Sequence, residues 1–295
     1  MAQVPAPNVL SLKVIGGNGS DAVASNVTKT ADGGFIVSIG SNSNSGTGNI
    51  DSFCAMNGNR TIFIKYDAIG TTLEWTKCFS YSTGDTGFVN IFPTIDGGNI
   101  LGGEYLSSAG WGFYICKQDG LGNIAWSHGY SKGNGPILRG MIATSDGGYI
   151  MAGEALYADT NFTVHHGSFM DADICVLKLD SLGNKVWSQT IGGTGDERCW
   201  AVTAGNNNSC YIIGSTPSDD FDCTGNHGGA AGTSDVYLAR LASDGSILWH
   251  KDIGGTGNDG GKCGWQDGNG GVIIGGTTNS HDGDITHYAG GDSST

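Results

Sequence analysis

The chain repeats itself along most of its 295 residues, and repetition on this scale decides the fold class before any single side chain is weighed. A turn followed by an apolar run appears as Asp32-Gly33-Gly34-Phe35-Ile36-Val37, Asp96-Gly97-Gly98-Asn99-Ile100-Leu101 and Asp146-Gly147-Gly148-Tyr149-Ile150-Met151. It returns as Asn269-Gly270-Gly271-Val272-Ile273-Ile274 and, degraded, as Asn207-Asn208-Ser209-Cys210-Tyr211-Ile212; successive copies start 64, 50, 61 and 62 residues apart. Between these runs, Lys65-Tyr66-Asp67 leads to Trp75, Lys117-Gln118-Asp119 to Trp126, Lys178-Leu179-Asp180 to Trp187 and Arg240-Leu241-Ala242 to Trp249. A third motif follows two of the tryptophans as Ile191-Gly192-Gly193-Thr194-Gly195-Asp196 and Ile253-Gly254-Gly255-Thr256-Gly257-Asn258, with an echo at Ile15-Gly16-Gly17-Asn18-Gly19-Ser20.

Each unit reads as four short strands. The first follows the Gly-Gly-x-Gly turn (Cys199–Thr203), the second the Asp-Gly-Gly turn (Tyr149–Gly153), the third runs through the Lys/Arg position (Asp235–Leu241) and the fourth carries the Trp (Ile247–Lys251). Asp-Gly and Asn-Gly between apolar runs supply the positive φ that tight hairpins need, and Val-Tyr-Leu-Ala-Arg-Leu alternates with the period of a strand. Four antiparallel strands in a unit of 50 to 64 residues make a β-propeller blade. The expected class is therefore all-β, a propeller of four-stranded antiparallel blades. A lone blade cannot bury both faces, but stacked blades bury one another's; Trp75, Trp126, Trp187 and Trp249 are expected to be structural, packed between neighbours.

The units run approximately 1–15 (a closing strand), 16–79, 80–130, 131–191, 192–253 and 254–295, the last incomplete, in a single propeller spanning 1–295. Leu10-Ser11-Leu12-Lys13-Val14-Ile15 aligns with a fourth strand lacking its Trp, which makes nineteen strands in all. Two readings stand side by side: a five-bladed ring closed by the N-terminal strand, or a stretch of a longer propeller or parent chain.

Composition narrows the function. Gly numbers 53 and Pro 5, which fits a chain of many turns, and 28 acids against 14 bases leave a net charge of −14. No basic patch is available to displace counterions from phosphates, so general nucleic-acid binding is excluded. No run approaches 18 apolar residues, so membrane insertion by a helix is not expected. Met1-Ala2-Gln3 leads straight into polar chain without a leader's basic and apolar regions. Eight cysteines, none in a Cys-x-x-Cys pair, favour a mature chain in an oxidising compartment, extracellular or at the cell surface. Read the other way, Cys116, Cys175 and Cys210 are small buried hydrophobes.

At Asp-x-x-Gly-x-x-x-Trp the chain distantly resembles pyrroloquinoline-quinone-type propeller repeats. Its fuller pattern, Asp-Gly-Gly-Tyr-Ile, a Ser/Asp/Gly/His loop, Lys-Leu-Asp-x-x-Gly-Asn-x-x-Trp and Ile-Gly-Gly-Thr-Gly-Asp, resembles the Gly/Asp-rich repeat propellers of secreted Bacteroidota proteins, many of them type IX secretion cargo. The resemblance runs from about Leu10 to Asp292 and implies a non-catalytic module of a large surface or secreted protein.

Chemistry is expected in the polar loop between second and third strands. Asp219, Asp220 and Asp222 in one copy, and Asp282 and Asp284 in the next, are spaced to offer oxygens to Ca²⁺, against the plainer reading that they satisfy their own turns. His165, His166, His227, His281 and His287 cluster in the same loops, as zinc ligands if they converge and surface residues if not. No nucleophile elbow or phosphate loop is present. Glu74, Glu104, Glu154 and Glu197 are the candidate carboxylates for glycoside hydrolysis, Glu104 and Glu154 at equivalent positions. Exposed aromatics for a lectin are only partly supplied by Trp111 and Tyr157. The function expected is a non-catalytic binding or structural module, for protein interaction or adhesion, with a protein or glycan partner at the cell surface or self-assembly. The alternatives are a glycan-binding lectin-like propeller and a polysaccharide hydrolase or lyase.

Overall fold

The computed structural model describes residues 14–20, 26–43, 48–54, 60–80, 88–107, 110–130, 135–168, 171–228 and 232–286. Eighteen strands occur among them. The first sheet is β1 (Asn26–Lys29), β2 (Phe35–Ser41), β3 (Arg60–Tyr66) and β4 (Leu73–Ser80), paired in chain order. The second is β5 (Phe88–Pro93), β6 (Asn99–Ser107), β7 (Gly110–Gln118) and β8 (Ile124–Tyr130), the third β9 (Ile137–Ala143), β10 (Tyr149–Ala155), β11 (Asp173–Leu179) and β12 (Lys185–Ile191). The fourth is β13 (Arg198–Ala204), β14 (Cys210–Thr216), β15 (Asp235–Leu241) and β16 (Ile247–Ile253); β17 (Asp259–Gln266) and β18 (Val272–Thr278) form a two-stranded ladder. Four-stranded meanders repeated along the chain are propeller blades, and the architecture is the all-β propeller expected. Of the N-terminal strand only Val14 and Ile15 are described, and the last unit's third strand lies outside the described residues, as do His287 and the side chain of Trp111.

The chain divides into two compact units, Met1–Leu101 with Lys117–Trp126, and Gly102–Cys116 with Ser127–Thr295, the division running through the β5–β8 sheet. Within each, the repeated motifs meet. Gly33, Gly97 and Gly147 take φ of +87°, +79° and +81° in the Asp-Gly-Gly turns, a region open to glycine. The Asp of each turn is then gripped by the cation of the third strand: the buried Lys65 and Lys178 reach Asp32 and Asp146 at 2.9 Å, and the half-buried Lys117 reaches Asp96 at 2.7 Å. The Thr30 hydroxyl and the Lys65 ammonium hold the Asp32 carboxyl down to about 2. Two of the fourth-strand tryptophans reach the turn of the following repeat: Trp75 Nε1 donates to Gly120 O at 3.1 Å and Trp187 Nε1 to Ser243 O at 2.8 Å. A Cβ on Gly122 or Gly245 would press on those rings. Trp126 is half-buried, and Trp249 is exposed with its ring centroid 6.0 Å from that of Tyr211.

In the first compact unit Ile39, Ile50, Ile62, Ile64 and Tyr66 pack around a disulfide between Cys54 and Cys78. In the second, Ile150, Ile174, Val176, Ile212, Tyr237 and Leu241 form a continuous core. Cys116, Cys175, Cys199, Cys210 and Cys223 are free and buried in the strands and loops, while Cys263 is free and exposed. Burial pushes the Cys116 and Cys210 thiols up to about 12, so they serve as small hydrophobes. No helix among the described residues is long and apolar enough to cross a membrane.

Candidate functional site at the clasped loops

Two loops close the same end of a unit: the Gly-Gly-x-Gly loop that leads into its first strand, and the long polar loop that leaves its second. They are fastened together by the same hydrogen bonds in successive copies. Gly195 N donates to Ser218 Oγ at 2.8 Å, Thr194 N to Asp220 Oδ1 at 2.8 Å, Ser218 N to Thr216 Oγ1 at 3.0 Å and Asp222 N to Gly192 O at 3.2 Å. In the next copy Gly257 N donates to Ser280 Oγ at 2.9 Å, Thr256 N to Asp282 Oδ1 at 2.8 Å, Ser280 N to Thr278 Oγ1 at 3.0 Å and Asp284 N to Gly254 O at 2.8 Å. The first copy keeps the core of the arrangement, with Gly19 N on Ser43 Oγ at 2.9 Å and Asn49 N on Gly16 O at 3.1 Å.

A buried carboxylate lies beneath each of the last two clasps. Glu197 accepts from Gly193 N, Thr216 Oγ1 and Ser218 Oγ, at 2.7, 2.8 and 2.6 Å. Asp259 accepts from Gly255 N at 3.0 Å and Ser280 Oγ at 2.7 Å, and its Oδ1 has no hydrogen-bond partner. Beside them stand two residues that the loop spacing did not flag. Asp173 and Asp235 open the third strands, are fully buried, and accept from the backbone of His166 and His227 at 2.6 and 2.9 Å. The signal was present in the sequence, since Asp173-Ile174-Cys175-Val176 and Asp235-Val236-Tyr237-Leu238 begin equivalent strands.

The aspartates expected to offer ligand oxygens are therefore distributed as follows. Asp220 and Asp282 each take a backbone N–H of the facing loop, and Asp219 takes that of Gly225 at 2.8 Å. Asp222 and Asp284 anchor the clasp through their main chain, and the Asp284 carboxylate lies 3.9 Å from His227 Nε2. Among the described residues no three His, Cys, Asp or Glu side chains are drawn together as metal ligands. His165 faces the Asp171 carbonyl at 2.8 Å, and His227 Nδ1 meets Asp235 at 2.6 Å, which raises the imidazole above its usual range. Asp252 is buried nearby with both oxygens unpartnered; burial and the charge of Asp235 raise it to about 7.

Glu104 and Glu154 occupy matching places in second strands, each the sixth residue of its strand. Glu154 is buried, pairs with Arg139 and takes the Cys199 N–H at 3.1 Å. Burial raises Glu104 to about 7 against the pull of the Leu138 N–H and Arg139. Beside them Trp200, on β13, has the Arg139 guanidinium 5.7 Å from its ring centroid and Lys262 Nζ at 3.2 Å.

No family model matches the chain, and no curated protein matches it in sequence. Solved structures do. Hydrazine synthase of Kuenenia stuttgartiensis is 12% identical over 91% of this chain and 77% of that one, with a TM-score of 0.50. The Pan2 WD40 domain of Neurospora crassa is 15% identical over 85% of this chain, which spans 60% of that one, at a TM-score of 0.42. An endo-arabinase of Bacteroides thetaiotaomicron is 12% identical over 87% of this chain and 92% of that one, at 0.40. At these identities the likeness is one of fold.

Proposed function

We propose that the chain is a non-catalytic binding module of a secreted or surface-displayed protein, presenting its clasped loops to a protein or glycan. The observation that carries this reading is the use made of the loop carboxylates: Glu197, Asp220 and Asp282 are committed to main-chain N–H groups that hold the loops rigid. A rigid polar rim on a repeat scaffold is suited to recognition, and loop variation then sets the ligand. The Cys54–Cys78 disulfide supports an oxidising compartment, and the resemblance to Bacteroidota repeat propellers supports export by the type IX route. The test is retention of the full chain on immobilised glycans and on surface extracts of the source cells, against a variant with Asp220 and Asp282 both changed to Ala. Loss of retention on loosening the loops supports the reading. Retention unaffected by that change removes it.

A second reading, a polysaccharide hydrolase, draws on Glu104, whose carboxyl burial raises to about 7, standing near the Arg-paired Glu154, since a carboxyl kept protonated beside a second carboxyl suits a general acid. Release of reducing ends that vanishes in both Glu104→Gln and Glu154→Gln would install it in place of the first.

A further inference from the structure

Gly48, Phe221 and Gly283 hold the same place in three copies of the clasp, each just before the residue whose N–H donates to the first glycine carbonyl. All three lie in the left-handed region, with φ of +62°, +48° and +63°. Glycine is the natural occupant, because a Cβ at Gly48 or Gly283 would run into the carbonyl of Gly16 or Gly254. The middle copy nevertheless carries phenylalanine, a residue that avoids this region. Burial does not compensate it, since Phe221 is 65% exposed. Strain of this kind, held where the same chain has an unstrained solution twice over, points to use rather than to stability.

What Phe221 adjoins suggests the use. Its ring lies 4.8 Å from that of His166. Phe162, Val164, His166, Ser188, Gln189 and Asp222 are among the residues that line a cavity of about 290 Å³; Phe221 is not in the lining but adjoins it through the His166 ring and its chain neighbour Asp222. His166 Nδ1 is buried without a hydrogen-bond partner, 3.5 Å from Asp173 Oδ2. The lining offers hydroxyls, an amide, one carboxylate and an apolar patch from Phe162 and Val164, but no Lys or Arg, so an anion finds no counter-charge. An apolar ligand would strand those polar groups. A ring with an apolar face and a rim of hydroxyls satisfies both the mixed lining and the aromatic that lies beside His166.

We infer that this cavity takes one ring of a neutral saccharide, with Phe221 as the platform for its apolar face. The inference rests on the binding-module reading and names the ligand of that module. The corresponding place in the last unit lacks the platform, because Gly283 stands there and His227 is engaged by Asp235.

The test is calorimetric titration of the full chain with neutral oligosaccharides of glucan, mannan, galactan, xylan and arabinan, beside Phe221→Gly and Gln189→Ala. The expected result is binding of at least one neutral saccharide, weakened about tenfold or more in Phe221→Gly, while that variant keeps or raises the wild-type melting temperature. Gln189→Ala, which leaves the platform in place, should weaken the same sugar. Equal affinity in Phe221→Gly overturns the assignment, and so does binding of charged glycans alone. If no saccharide binds, the assignment falls, while retention on surface extracts decides the binding-module reading separately.

Discussion

The loops at 216–222 and 278–284 are fastened to their Gly-Gly-Thr-Gly partners by the same four hydrogen bonds, yet they differ above and below the fastening. Above it, one carries an exposed strained phenylalanine and the other a glycine. Below it, Glu197 satisfies three donors, whereas Asp259, one methylene shorter, satisfies two and leaves an oxygen orphaned. The repeat thus separates a conserved-by-geometry fastening from positions free to vary within one chain. Stability is held by the clasp, and difference is concentrated at its apex and in the groups facing it.

The largest effect should come from the carboxylate under the clasp. Glu197→Ala leaves three buried donors without an acceptor and should cost about 3 kcal/mol, against about 2 kcal/mol for Asp259→Ala, measured by chemical denaturation. Equal losses would break the claim that the two clasps differ in depth. Next comes the apex. Gly283→Ala adds a Cβ in the left-handed region against the Gly254 carbonyl and should cost about 2 kcal/mol. Phe221→Gly should do the reverse, with a gain of about 1 kcal/mol or no loss. If Phe221→Gly destabilises the fold, the side chain is structural and the contrast between the two loops disappears.

Much of this was legible without coordinates. The third strand expected at Asp235–Leu241 has those bounds, because a period-2 apolar run between Gly-rich turns has no other way to be buried. The Lys/Arg of that strand was visible as a repeat, but its partner was not, since pairing Lys178 with Asp146 depends on how three strands lie side by side. Spacing alone leaves the loop aspartates open to cation binding or to satisfying turns, and it does not display that Asp220 and Asp282 accept main-chain N–H groups of the facing loop. Phe221 was open to view as well. Setting Ser218-Asp219-Asp220-Phe221-Asp222 over Ser280-His281-Asp282-Gly283-Asp284 puts Phe on Gly, but the cost of that exchange appears only once φ is known.

The smallest effect separates the junctions by pH. Asp252 faces Asp235, Asp219 and His227, while the matching residue in the neighbouring repeat is the uncharged Thr190. Burial and those neighbouring carboxylates raise Asp252 from its ordinary 3.8 to about 7, so the folded chain holds this proton more tightly than the unfolded chain does. Its contribution to stability is therefore complete below about pH 4 and lost as pH rises through about 7. His227, raised by Asp235, acts with the same sign above the ordinary imidazole range. Asp32 and Asp146, held near 2 by their turns, act with the opposite sign and only in acid. Asp252→Asn keeps the shape and removes the titration. Denaturation midpoints followed from pH 4 to 8 should then fall less steeply than in the wild type, and the variant should be the more stable protein above pH 7. Parallel profiles would place the pH response elsewhere and leave the two junctions electrostatically alike.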